Sequence, residues 1–132
     1  VAYLARFGAK VIKLDPAKPF YDCWNTVIFG MSHMRGKQSL LTDITKPQGR
    51  AILEDLIKAS DVIVWNAPDR QVESMGLDVV SLEKLNPDAI FCKLDCFSGP
   101  LPGPRSGYLG YDDLVQATTG IMTRFGGSMD TP

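Results

Sequence analysis

"SLLTDITKPQGRAILEDLIKASDVIVWN", residues 39–66, decides the fold. Its opening "SLLTDI" (39–44) reads as a short strand. Thr45 and Pro47 then supply a helix start, a hydroxyl at the cap position and a proline in the first turn, where its missing N–H costs nothing. Ile52, Leu53, Leu56 and Ile57 fall on one helical face, while Glu54 and Lys58 are spaced to pair at i, i+4 on the other. "DVIVWN" (61–66) is apolar without alternation, as expected of a strand covered on both faces of its sheet. Strand, helix and strand in this order predict an α/β, Rossmann-like layer with a mainly parallel sheet.

The same pattern extends outward on both sides. "KVIKLD" (10–15), bounded by Gly8 and Pro16, and "AIFCKLD" (89–95) predict two further strands. "VAYLARFG" (1–8) reads as the last two turns of a helix closed by Gly8. Residues 16–36 mix Pro, Asp, Asn and Gly with aromatics, which predicts an irregular excursion with a short helical turn. Beyond Asn66, "PDRQVESMG" predicts a short helix ending at Gly76, Ser81 is expected to cap "LEKLN", and "YDDLVQATTGIM" (111–122) predicts one helix. Asp112 and Asp113 lie near the positive end of that helix, and N-capping accounts for at least one of them. Neither end carries a complete element, so residues 1–132 are expected to be an internal piece of a longer chain, an incomplete domain that would aggregate or stay partly unfolded by itself.

With 14 Lys plus Arg against 15 Asp plus Glu in 132 residues, the chain has no basic field for nucleic acid or an anionic membrane. No apolar run approaches the roughly 18 to 20 residues that span a bilayer, and no signal peptide is present, so a cytoplasmic protein without membrane partners is expected. Cys23, Cys92 and Cys96 have no metal-ligand spacing, and His33 is the single histidine, so no metal is expected. The thiols read as reduced packing groups, since Cys92 and Cys96 would lie about 13 Å apart along a strand.

In parallel sheets, ligands lie beyond the carboxyl ends of the strands. That rule selects the exits at Asp15–Pro16, Asp43–Thr45 and Asn66–Pro68, and the Gly/Pro-rich loop that runs from Asp95 to Asp112. No glycine triplet follows the first strand, which argues against a dinucleotide site, and "RGKQS" (35–39) precedes a strand where a phosphate-binding loop would open a helix. Arg35 and Lys37 remain side-chain donors suited to a phosphate. His33 has no motif partner, and "FSGPLPGPRSG" (97–107) reads equally as a mobile lid or a fixed proline turn.

Read together and in order, "LARFGAKVIKLD" (4–15), "RGKQSLLTDITKPQGRAILEDLIKASDVIVWNAPDRQVESMGLD" (35–78), "LEKLNPDAIFCKLDCFSGP" (82–100) and "GYDDLVQATTGIM" (110–122) resemble the family III CoA-transferases, the formyl-CoA transferase and carnitine CoA-transferase group. The resemblance implies that these residues form part of a Rossmann-like domain holding coenzyme A, in a protein that is a dimer or a two-domain pseudo-dimer acting on an acyl-CoA and a small carboxylic acid. By segment match it places coenzyme contacts on Thr42, Asp43, Ile44 and Thr45, on Asn66, Ala67 and Pro68, and on Leu109, Gly110, Tyr111 and Asp112, many through backbone groups. It implies no catalytic residue here: the aspartate that attacks the thioester is expected beyond Pro132.

The chain departs from the family pattern at Pro16, Met34, Gln38, Ala67 and Ser74. Some members carry arginine at the places of Pro16 and Ser74, which leaves Lys18 and Arg70 as neighbouring cations. Tyr111-Asp112 stands where the racemase branch has a His-Asp pair, and a tyrosine with a pKa near ~10 is a poor base at neutral pH. "WNAPDRQ" (65–71), "KLDCFSGP" (93–100) and "GYDDLVQATTGIMTRFGGSMDTP" (110–132) most resemble the branch that loads CoA onto dimethylsulfoniopropionate and releases dimethyl sulfide. The competing readings are another transferase of the family, using oxalate or carnitine, and a non-catalytic nucleotide-binding module.

Overall fold

A computed structural model describes residues 1–18, 23–97, 101 and 103–126. The elements run α1 (Ala2–Arg6), β1 (Val11–Pro16), α2 (Cys23–His33), β2 (Lys37–Thr42), α3 (Pro47–Lys58), β3 (Val62–Trp65), α4 (Asp69–Ser74), α5 (Val79–Leu85), β4 (Ile90–Lys93), α6 (Asp112–Thr119) and α7 (Ile121–Phe125). The chain divides into two compact units, Val1–Leu56 and Ile57–Pro132. The alternation expected from the sequence is present, and every strand pairing among the described residues is parallel.

In the first unit β1 pairs with β2, in a register that sets Val11 opposite Lys37 and Pro16 opposite Thr42. Gly8, at φ +95°, closes α1 in the left-handed region that only glycine enters freely. Lys13 and Asp15, two apart and therefore on one face of β1, form an ion pair.

The excursion expected between residues 16 and 36 contains α2, an 11-residue helix. Its β-branched and aromatic residues and Gly30 have low helix propensity, which hid it. Trp24, Val27, Ile28 and Met31 nevertheless recur at helical spacing, and all four are exposed.

In the second unit β3 pairs with β4, with Val62 opposite Ile90 and Trp65 opposite Lys93. Asn86 ties the end of α3 to this pair: its Nδ2 donates to the carbonyls of Ile57 at 2.8 Å and Ser60 at 3.0 Å. Those carbonyls belong to the last turn of α3 and the residues after it, where intrahelical partners run out. Ile57, Val72 and Leu82 are the buried hydrophobic side chains among the described residues.

Four local expectations are corrected. Asp78, not Ser81, is the N-cap of α5: its carboxylate accepts from Ser81 N at 3.0 Å and from Ser81 Oγ at 2.7 Å, so Ser81 lies inside the helix as the donor. The helix expected over 111–122 breaks at Gly120, whose φ of +75° ends α6 before α7 begins. Tyr111 holds its N-cap position, with Asp112 and Asp113 inside the first turn, where they favour the helix dipole without capping it. On the polar face of α3, Arg50 Nε donates to Glu54 Oε1 at 2.9 Å, an i, i+4 ion pair. Cys92 and Cys96 are free, as expected, but exposed rather than packed.

Candidate functional site

Thr42–Thr45 lies in the first unit, at the exit of β2. Asp43 forms a side-chain turn there, its Oδ1 accepting from Thr45 N at 3.0 Å and from Thr45 Oγ1 at 2.5 Å. Those two bonds, the side-chain one first, hold the Asp43 carboxyl below its ordinary value. The Asp43 carbonyl accepts from Lys46 N at 3.1 Å, leading the chain into α3. Gly49 is buried against this turn, and a Cβ there would reach 2.8 Å from Thr42 Oγ1 and collide with the Asp43 carbonyl. Gly49 is thus a site-forming residue that the sequence reading passed over. The signal was a glycine placed where a helix former would serve better.

Lys37 opens β2 and so stands at the end of that strand opposite to Thr42. With Lys13, Asp15, Gly30, Met34, Gln38 and Ser39 it lines a shallow cleft of about 210 Å³. "RGKQS" therefore straddles a turn and the start of a strand, with Gly36 at φ +77°.

Asn66, Ala67 and Pro68 span the gap between β3 and α4 in the second unit. Pro68 precedes α4 at φ −59°, ψ 146°, and its carbonyl accepts from Gln71 N at 2.9 Å. The backbone groups of Asn66 and Ala67 have no partner among the described residues. Unpaired peptide groups at the carboxyl end of a parallel pair are what a ligand read by backbone contacts requires. Trp65, one residue earlier, keeps a buried indole N–H without an acceptor among the described residues.

Lys93 ends β4. Its Nζ bonds Asp69 Oδ1 at 2.5 Å and Asp95 Oδ2 at 2.8 Å, and these two carboxylates, Asp69 first, push the lysine above its ordinary value. Asp95 Oδ1 accepts from Cys96 N at 2.8 Å, and Cys96 Sγ donates to the Gly110 carbonyl at 3.5 Å. One connected path thus runs from the start of α4 through the exit of β4 to the third candidate segment. A Cβ on Gly110 would collide with Cys96, so that contact needs glycine.

Leu109 and Tyr111 line a cleft of about 430 Å³ with Phe97, Arg105, Tyr108, Leu114 and Thr118. Phe97 and Tyr108 meet edge to face at 6.4 Å. Asp112 is turned toward its own helix, its Oδ2 accepting from Gln116 Nε2 at 2.6 Å. The lid reading falls partly on residues 98–100 and 102, outside the described residues. Phe97, Arg105, Tyr108 and Lys93 were not singled out from the sequence, because their juxtaposition depends on the β3–β4 register and on the path of the loop. Among the described residues no group of three or more His, Cys, Asp or Glu is placed to hold a metal ion, and no helix is long and apolar enough to cross a membrane.

Parallel strand–helix units of this kind define an α/β fold. The CoA-transferase family III model matches residues 1–132, and the chain belongs to that family. It is 49% identical over 125 residues to the CoA-transferase/lyase DddD of Marinomonas sp. (strain MWYL1), a match that covers 95% of this chain and 15% of that protein. It is 36% identical to a succinate–glutarate CoA-transferase of Agrobacterium fabrum, over 91% of this chain and 33% of that one. The crystal structure of a CAIB/BAIF family protein from Brucella suis superposes with a TM-score of 0.79 at 29% identity, covering 92% of this chain and 34% of the other. The chain therefore spans a third or less of the length of the curated relatives named here.

Proposed function

We propose that these residues are part of the coenzyme A-binding domain of a CoA-transferase that moves CoA from an acyl-CoA donor to a carboxylic acid, with dimethylsulfoniopropionate as the acceptor and dimethyl sulfide released afterwards. The observation that carries this reading is the 49% identity to a CoA-transferase/lyase along 95% of the chain. The unpaired backbone of Asn66 and Ala67 supports it, since it offers a rigid peptide edge to the coenzyme at a strand exit.

In this reading Thr42–Thr45, Asn66–Pro68 and Leu109–Asp112 contact the coenzyme, and the nucleophile is an aspartate beyond Pro132. Its carboxylate oxygen attacks the thioester carbonyl, the C–S bond breaks, and CoA thiolate leaves an aspartyl–acyl anhydride. The thiolate then attacks the aspartyl carbonyl and releases the donor acid, giving aspartyl-CoA. The acceptor carboxylate repeats the exchange, each step replacing one acyl bond by another of similar energy. Tyr111 at the place of a histidine base argues against proton abstraction from the α-carbon as the main reaction. The working protein is a dimer or two-domain pseudo-dimer in the cytoplasm.

The test is incubation of the full-length protein with acetyl-CoA and dimethylsulfoniopropionate. Dimethyl sulfide is expected in the headspace and a hydroxylamine-sensitive aspartyl thioester on the protein. Turnover of oxalate or carnitine in its place overturns the acceptor assignment, and CoA binding without any exchange establishes the non-catalytic alternative.

A further inference from the structure

We propose that Lys93 is a positioning residue, holding Asp69 and Asp95 so that the free backbone groups of Asn66 and Ala67 are presented to coenzyme A in one fixed geometry. This rests on the coenzyme reading above, and it assigns a role to a side chain that lies outside the three candidate contact segments. Asn66–Pro68 is a three-residue span with both ends tied to the same neighbour. At one end the Trp65 carbonyl accepts from Leu94 N at 2.8 Å, which prolongs the β3–β4 ladder past its last pair. At the other, Asp69 is the first residue of α4, and Lys93 Nζ reaches it from β4 across the span, 24 residues away in sequence.

Without Lys93 the far end is tethered only through α4, which is six residues long. A short linker fixed at one end samples several conformations, and a ligand that reads its peptide groups must select among them. The second arm continues the tether. Asp95 passes it through Cys96 N to the Gly110 carbonyl, so the same lysine also fixes the approach to Leu109–Asp112.

The side chains of Asp69 and Lys93 are 63% and 25% exposed, so the pair adds little to the stability of the fold. Its effect therefore separates from folding. A structural role and a positioning role give opposite results when affinity and melting are measured together.

In the full-length protein, Lys93→Met and Asp69→Asn are each expected to weaken CoA about tenfold by calorimetric titration, while the melting transition barely shifts and the KM for the acceptor acid is unchanged. The double variant should be no weaker than Lys93→Met alone, because Lys93→Met already breaks the Asp69 bond that Asp69→Asn removes. Lys93→Arg, which keeps the charge and the reach, should recover most of the loss. Wild-type affinity in Lys93→Met overturns the inference, as does additivity in the double variant or a loss that tracks the melting transition and that arginine does not rescue. Failure of the unaltered protein to bind CoA instead overturns the functional reading beneath it.

Discussion

Gly49→Ala reverses an ordinary expectation and so tests the geometry of the β2 exit directly. Replacing glycine by alanine within a helix favours folding by about 1 kcal/mol, because the unfolded chain loses freedom and the helix gains a better former. At Gly49 the new methyl would meet the Asp43 carbonyl and stand 2.8 Å from Thr42 Oγ1. The carbonyl belongs to a backbone turn held by the Asp43–Thr45 bonds, so it cannot swing aside as the Thr42 hydroxyl can. Overpacking of this kind costs about 1–3 kcal/mol, and a carbonyl obstacle puts Gly49 at the upper end, leaving a net loss of about 2 kcal/mol. Urea denaturation of the full-length protein followed by far-UV circular dichroism reads that loss as a lower midpoint with unchanged slope. Gly30→Ala is the control: nothing lies within 4 Å of a Cβ there. It should raise stability by about 0.5–1 kcal/mol through propensity alone. A Gly49→Ala protein as stable as its parent would refute the close approach of α3 to the Asp43 turn.

Asn86→Leu removes the amide that serves the Ile57 and Ser60 carbonyls, and by the same urea measurement it should cost about 1–3 kcal/mol, as unsatisfied carbonyls do. Asp78 and Asp43 give the acid dependence. Hydrogen bonds from Ser81 and Thr45 that exist only in the folded chain hold these carboxyls below the ordinary value of 3.8. Their contribution is therefore complete above that value and is lost as pH falls through the lower folded one. Asp78→Asn keeps a good cap while removing the titrating group, so it should match the parent at neutral pH and flatten the part of the acid denaturation curve below about pH 4, whereas Asp78→Ala should be less stable at every pH.

The strands were readable because apolar runs bounded by Gly, Pro and Asp need no tertiary knowledge, and α3 because Pro47 and the Ile52–Ile57 stripe agree. The cap position of α3 nevertheless falls on Lys46, whose carbonyl accepts from Arg50 N, while the Thr45 hydroxyl donates to Asp43. Agreement failed at α2, where residue preferences opposed the helix that the Trp24, Val27, Ile28 and Met31 spacing supports. Asp78 and Ser81 were both visible, but which one caps depends on where the chain enters the helix. Gly120 was hidden inside a helical pattern, since a glycine there signals a break only when its φ is known. The strand exits could be selected by topology, whereas the Lys93 bridge and the aromatic cleft could not, because each is made by residues far apart in sequence that meet only in the folded register.

The scarcity of buried side chains has a calorimetric consequence. The heat capacity gained on unfolding follows the apolar surface newly exposed to water. Among the described residues only Ile57, Val72 and Leu82 are buried hydrophobics, while Phe7, Trp24, Met31 and Phe125 already face solvent. Residues 1–132 by themselves would give a shallow, weakly curved stability profile and a broad melting transition with little excess heat. Cold and warmth would act on such a body almost alike, and the temperature at which it is most stable would carry little information about its architecture.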